Sequence, residues 1–315
     1  MSHELRAQHL TGTSHMIGRG KDATFAWEKR ATAPARGILL CVHGSSTSSL
    51  PQFDLQVPDR PDASLMNWFA AAGFDVWCFD CRGYGRSYKG EEVWATCAEG
   101  AADIARVAEY IRDRRACEKL AVYGSSSGAL RACLFAADRP ELTGALLFDG
   151  FVWTGANSPT LEQRRKKLDE SRAASRRKLD RAFIATLSSR DGVDSADPVL
   201  VEHFCEQLLA ENDSVPTGTY IDMCQNLPLV APEDIAVPTL IVRGQHDGIA
   251  TLDDVSQFFE RLPNAYKRLD VLEGIAHATS LQKHVGAVYR SMYSFLSEPE
   301  LGLAPRKTEV PANDR

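Results

Sequence analysis

Several features are missing from this chain of 315 residues, and each absence excludes something. No apolar run approaches the roughly 18 residues of a membrane-spanning helix, so no transmembrane segment is expected. The start, Met1-Ser2-His3-Glu4-Leu5-Arg6-Ala7-Gln8-His9-Leu10, lacks the apolar centre of a signal peptide. The eight cysteines form no metal-type pattern. Cys78 and Cys81 have C-x-x-C spacing, but no second pair or suitably spaced histidine completes a zinc set. Cys41, Cys78 and Cys133 lie in apolar segments and read as small hydrophobes, which suits a reducing cytoplasm. Gly18-Arg19-Gly20 and Gly83-Tyr84-Gly85 are neither dinucleotide fingerprints nor a P-loop. Excess positive charge is also missing: the net charge of −6 argues against a nucleic-acid partner.

Strand-like runs alternate with helix-like ones over most of the chain. The runs at 37–42, 74–79, 119–123, 145–148, 239–242 and 266–272 read as strands, most of them buried. Helical patterns lie between them, at 62–72 and from Ala98 to Arg114. Such a rhythm predicts an α/β, doubly wound, mostly parallel sheet covered on both faces. Residues 151–235 break it. They hold no convincing strand and three helix-like segments, one of them running from Leu161 to Arg181 with nine Lys/Arg against four Asp/Glu. The expected organisation is a core of 1–150 and 236–296, a helical cap at 151–235, and a loose tail at 297–315. The charge of 161–181 reads as a solvated helix face. Its alternative is attraction of an anionic substrate or of a membrane surface, which leaves a peripheral membrane contact open.

The pentapeptide Gly124-Ser125-Ser126-Ser127-Gly128 follows the strand at 119–123 and opens a helix-compatible stretch. A G-x-S-x-G pattern arises by chance in about one chain in ten of this length. Between a strand and a helix, however, it has a mechanical meaning. The middle residue, Ser126, is thrown out on a strained turn, and the flanking glycines clear room for it. A serine hydroxyl needs a base, and the base needs a partner to fix its tautomer. His277, in the loop after the strand ending at Leu272, is the candidate base. His3, His9 and His15 precede the sheet, His43 shapes a turn, His203 lies in the cap, His246 points elsewhere and His284 sits in the terminal helix. Asp247 is the candidate acid, a few residues beyond Val242, with Asp149 its competitor beyond Phe148. Two backbone N–H groups should face the developing oxyanion: that of Ser127, and that of Ser45 in the His43-Gly44-Ser45-Ser46 turn.

Together these pieces resemble the α/β-hydrolase superfamily. The resemblance rests on His43-Gly44, Asp80-Cys81-Arg82-Gly83-Tyr84-Gly85-Arg86-Ser87, Gly124-x-Ser126-x-Gly128, Gly244-x-x-Asp247 and Gly274-x-x-His277, five motifs in family order. It implies a triad of Ser126, Asp247 and His277, a helical cap before the strand carrying the acid, a structural role for the Asp80–Ser87 turn, and no cofactor. Ser127 departs from the Met, Gln or Gly commoner after the nucleophile. Haloalkane dehalogenases and epoxide hydrolases of the superfamily carry Asp at the elbow, so Ser126 points instead to acyl chemistry on a small-molecule ester. The expected activity is that of a serine esterase of lysophospholipase or monoacylglycerol-lipase range. Phe151, Trp153, Phe183, Phe204 and Tyr220 would supply apolar surface. The alternatives are a carbon–carbon bond hydrolase or aminopeptidase on the same scaffold, and a non-catalytic ligand-binding receptor. Oligomeric state is not legible.

Overall fold

Short runs of branched and aromatic residues with no charge to solvate, such as Ile38-Leu39-Leu40-Cys41-Val42, can hide both faces only inside a sheet covered by helices. The computed structural model, which describes residues 7–115 and 117–303, places them there. The strands are β1 (Thr13–Ile17), β2 (Thr24–Lys29), β3 (Ile38–Val42), β4 (Asp75–Phe79), β5 (Leu120–Ser125), β6 (Thr143–Asp149), β7 (Arg176–Lys178), β8 (Ser214–Pro216), β9 (Thr239–Gly244) and β10 (Lys267–Leu272). Eight form one sheet in the order β1-β2-β4-β3-β5-β6-β9-β10, parallel from β4 to β10, with β1 and β2 added antiparallel at one edge. The helices of the core's first half are α1 (Ser49–Phe53), α2 (Leu65–Ala71), α3 (Cys97–Arg114) and α4 (Ser127–Asp138). Those between β6 and β9 are α5 (Pro159–Arg165), α6 (Leu168–Ala173), α7 (Arg181–Ser189), α8 (Pro198–Glu211) and α9 (Gly218–Ile221), and α10 (Leu252–Arg261) and α11 (Val285–Leu296) close the fold. No helix among the described residues is long and apolar enough to cross a membrane.

Alternation along each strand divides the core in two. Leu40, Val42, Val122, Leu146 and Phe148 face α3, α4 and α10 through Ile104, Val107, Leu130 and Phe258. Leu39, Cys41, Ala121, Tyr123 and Leu147 face α2 and α11 through Met66, Phe69, Val288 and Met292. Helices therefore cover both faces, and the doubly wound sheet with a largely helical insertion matches the expected class.

Three local readings need correction. The sheet begins earlier than Gly37, and His15 lies on a strand within it, not before it. The signal was hidden because β2 buries charge: Lys29 Nζ lies 2.6 Å from Asp54 and 2.7 Å from Asn67, and the Glu28 carboxylate takes the Arg115 guanidinium. The single helix expected from Leu161 to Arg181 is broken into α5, α6 and β7, and β7 pairs antiparallel with β8 in a two-stranded ribbon. Like charges one turn apart, and large apolar residues only at Leu161, Leu168 and Leu179, give that stretch no continuous face to keep it helical. Finally, the chain is not loose from Ser297: Leu301 and Leu303 are buried against the second core half. The rest of the expected tail, 304–315, lies outside the described residues.

Candidate active site

Strand pairing assembles the site at the carboxyl ends of the parallel strands. β3 and β5 are neighbours, with Val42 opposite Gly124, so the turn after β3 and the elbow after β5 emerge side by side. β6 and β9 follow, with Asp149 opposite Val242, and Leu272 of β10 lies opposite Gly244. The loops carrying Asp247 and His277 therefore leave adjacent strand ends.

At the elbow Ser126 has φ 56° and ψ −121°, a conformation costly for a residue with a side chain. Its N–H donates to Asp149 O at 2.9 Å, which ties the strained turn to β6. A Cβ on Gly128 would lie 2.1 Å from Val42 O, so the α4 backbone can approach β3 only with glycine there.

Ser126, Asp247 and His277 converge. Ser126 Oγ lies 3.0 Å from His277 Nε2, and His277 Nδ1 lies 2.9 and 3.0 Å from the two Asp247 oxygens. Burial pushes the Asp247 carboxyl up, but the His277 partner and the Ile249 and Ala250 N–H groups outweigh it and leave it below its ordinary value. The competitor Asp149 is elsewhere. It is fully buried, takes a hydrogen bond from Thr279 Oγ1, and its pKa is raised by desolvation.

Ser45 lies in the turn after β3, beside Ser126, and Ser127 opens α4 directly after it. Among the described residues, neither backbone N–H donates to a protein acceptor. The Ser127 side chain is fully buried and its Oγ has no partner, so the hydroxyl faces away from the cavity. His43 links two turns: its Nδ1 lies 2.8 Å from Gly44 O and its Nε2 accepts from Cys81 N at 3.0 Å. Burial, with Arg131 adding to it, pulls its pKa down to about 3, so it works there as a neutral hydrogen-bonding strut. The Asp80–Ser87 segment is a closed turn whose Asp80 carboxylate accepts from Ser49 and Arg86 N–H, each at 2.8 Å.

Several residues at the site carried no sequence signal. Asp191, from the insertion, accepts the His277 N–H at 2.8 Å and the Gly248 N–H at 3.3 Å, joining the two loops. Arg243 does similar work beneath them, donating to Ala250, Gly244 and Asp247 carbonyls. Gly150 has φ +57°, and a Cβ there would meet the His277 ring at 2.8 Å.

Above Ser126 and His277 is a small cavity of about 70 Å³. Phe204 and Leu187 line it, as do Arg164 and Arg190. Of the expected aromatic surface, only Phe204 reaches it. Phe151 and Trp153 pack against Phe148 and Phe258 of the core, and Phe183 and Tyr220 border an adjoining cavity. Burial raises the Tyr220 phenol, yet Arg164 and Arg177 outweigh it and bring it down to about 8.

A doubly wound sheet with a serine elbow, and the matches it finds, define an α/β-hydrolase. Residues 34–283 match the family described as serine aminopeptidase, S33, and the chain belongs to that family. It is therefore a hydrolase by family. No curated protein matches the chain. Similar solved structures include a membrane phospholipase A described as a bacterial virulence factor, with 17% identity, 93% of this chain and 87% of that one covered, and a TM-score of 0.65. The monoacylglycerol lipase of Paleococcus ferrophilus is 21% identical over 86% of this chain and 98% of its own, with a TM-score of 0.62. A thermophilic esterase from Thermogutta terrifontis is 18% identical over 92% and 99%, with a TM-score of 0.64. At these identities the likeness is one of fold.

Proposed function

We propose that the protein hydrolyses a carboxylic ester through an acyl-enzyme on Ser126. The observation that carries the reading is the 3.0 Å contact from Ser126 Oγ to His277 Nε2, with Asp247 on the other ring nitrogen. Ser126 Oγ attacks the carbonyl carbon as its proton passes to Nε2. Asp247 holds Nδ1–H and stabilises the imidazolium. The carbonyl oxygen becomes an oxyanion between the Ser45 and Ser127 N–H groups, both free to donate. Collapse breaks the ester C–O bond, and His277 gives its proton to the departing alcohol. Water then repeats the cycle: His277 takes its proton, hydroxide adds to the acyl carbon, and Ser126 leaves reprotonated with a free acid as product.

Residues 151–235 serve in this reading as the cap, and the unpaired cysteines fit a cytoplasmic setting. The similar lipase and phospholipase support the lysophospholipase and monoacylglycerol-lipase range, while a cavity of about 70 Å³ favours short acyl groups over long ones. The family description supports an aminopeptidase as the second reading. Against it, the residues lining the cavity include two arginines and no carboxylate to receive an ammonium.

The test is covalent labelling by a fluorophosphonate together with turnover of short 4-nitrophenyl esters. Labelling that disappears in Ser126→Ala is the expected result. Folded wild-type protein that neither labels nor turns over esters would favour a binding protein of this fold.

A further inference from the structure

Three guanidinium groups descend from the insertion towards Ser126, and their hydrogen-bonding capacity is largely unused. Arg164 and Arg190 line the cavity over Ser126 and His277. Arg177 stands behind them: its Nη2 donates to Ser45 O at 2.9 Å and Ser46 Oγ at 2.7 Å. The Tyr220 ring lies against two of them, 4.3 Å from the Arg164 guanidinium carbon and 4.1 Å from that of Arg177.

Cations gathered in this way repel one another and need anions. Among the described residues neither Arg164 nor Arg177 has a carboxylate within ion-pair distance. Arg190 has Asp191 at 3.5 Å, but that carboxylate already accepts the His277 and Gly248 N–H groups. Buried Nε of Arg190, and buried Nε and Nη1 of Arg177, have no hydrogen-bond partner. A buried donor without an acceptor is costly, and a buried cation without a counter-charge more so. Solvated surface arginines would not be gathered over a nucleophile, and arginines that only tether the insertion would have spent their donors on it.

We propose that this cluster is a binding site for an anionic group of the substrate, so that the enzyme prefers short esters bearing a carboxylate or a phosphate. The proposal rests on the esterase reading above and adds the substrate's charge to it. The planar guanidinium fork suits either oxyanion. Arg164 and Arg190 meet the anion directly, because they share the cavity with Ser126. Arg177 adds field from behind and holds the Ser45 turn, as a positioning residue.

The experiment compares 4-nitrophenyl hydrogen glutarate with its neutral methyl-capped counterpart on the full chain. The anionic ester should have a kcat/KM at least tenfold higher, with the difference in KM. In Arg164→Gln and in Arg190→Gln that ratio should fall to near unity, and Arg164→Lys, which keeps the charge, should restore part of it. Glutarate and inorganic phosphate, titrated as inhibitors of the neutral ester, tell which oxyanion fits better. Equal use of both esters, or a ratio untouched by both glutamine variants, overturns the proposal. Calorimetric titration of the wild-type chain with glutarate and with phosphate decides the matter without turnover. Binding lost in Arg164→Gln supports the site even if the fluorophosphonate leaves Ser126 unlabelled, an outcome that sinks only the esterase reading. Absence of heat with both anions overturns the site itself.

Discussion

The sheet and the insertion treat charge differently. In the core, most buried charges are matched: Lys29 with Asp54, Glu28 with Arg115, and Asp247 with His277 while Arg243 ties down its loop; the fully buried Arg131 instead donates to His43 O. In the insertion, the charged side chains lining the cavity are Arg164 and Arg190, and with Arg177 behind them they hold few hydrogen-bond partners. The core ties Ser126, Asp247 and His277 together through hydrogen bonds of its own, and its unpaired buried atoms, Arg131 Nε and Asp149 Oδ1 among them, are scattered. The insertion has left donors of its own unsatisfied, so its energetic closure awaits something from outside. What sets the insertion apart is that its unpaired donors belong to cations gathered beside one cavity.

The sharpest way to break that comparison lies in the core, at the two aspartates. Asp247→Asn should lower kcat by about four orders of magnitude, because the amide presents the wrong partner to Nδ1. Asp149→Asn should cost less than about tenfold, since its carboxyl touches Thr279 and not the imidazole. Steady-state kinetics on a short ester measures both, and a reversed order would move the acid to β6. Gly128→Ala comes next. Its new Cβ would lie 2.1 Å from Val42 O, a backbone atom that cannot swing aside. A loss of about 4 kcal/mol or more is expected, read from the urea midpoint, and a near-normal midpoint would mean that the α4–β3 approach is soft.

Much of the core was legible because its physics is local. Strands buried on both faces, such as β3 and β5, must be continuous apolar runs, and a serine elbow must carry its glycines. The order of Ser126, Asp247 and His277 then followed from which loop leaves which strand. β2 was missed because Lys29 and Glu28 are made burial-compatible by partners remote in the sequence, Asp54 and Arg115. The insertion was misread for the same reason in reverse. The basic stretch 161–181 keeps Arg165, Lys166, Lys167, Arg172, Lys178 and Arg181 exposed, as a solvated face requires, but the fold breaks the helix and leaves Arg164, Arg176 and Arg177 half-buried. Asp191 and Gly150 act through contacts with His277 that no local pattern encodes.

The seam between the two regions gives a smaller effect. Asp254, in the first turn of α10, accepts the N–H of Trp153 at 2.8 Å and of Thr154 at 3.0 Å, so one core carboxylate anchors the insertion's first residues. Asp254→Ala leaves those buried donors unpaired and should cost about 3 kcal/mol in urea unfolding. Asp197 caps α8 inside the insertion, accepting from Val199 N at 2.9 Å, and Asp197→Ala should cost only about 1 kcal/mol. Equal losses would mean that the seam holds no more tightly than an ordinary helix end.

The gentlest test sets one phenol against three. Burial raises Tyr84, Tyr123 and Tyr289 of the core, whereas Tyr220 is brought down to about 8 although burial pushes it the other way. The groups facing it are Arg164 of α5, Arg177 of β7, Arg190 after α7 and the Ser46 hydroxyl; Lys167 and Lys178 border the same adjoining cavity. Because its folded value lies below the roughly 10 of an exposed phenol, the native state releases a proton that the unfolded chain keeps. This ionisation therefore adds stability as pH rises from about 8 towards 10, and adds none below about 8. Ultraviolet titration should show one phenolate forming near pH 8, absent in Tyr220→Phe and moved upward in Arg164→Gln. The new phenolate would also compete for the arginines, so preference for an anionic ester should weaken over the same range in the wild type but not in Tyr220→Phe. A phenolate step that survives Tyr220→Phe would place the low-titrating tyrosine elsewhere and leave the arginines without their internal reporter.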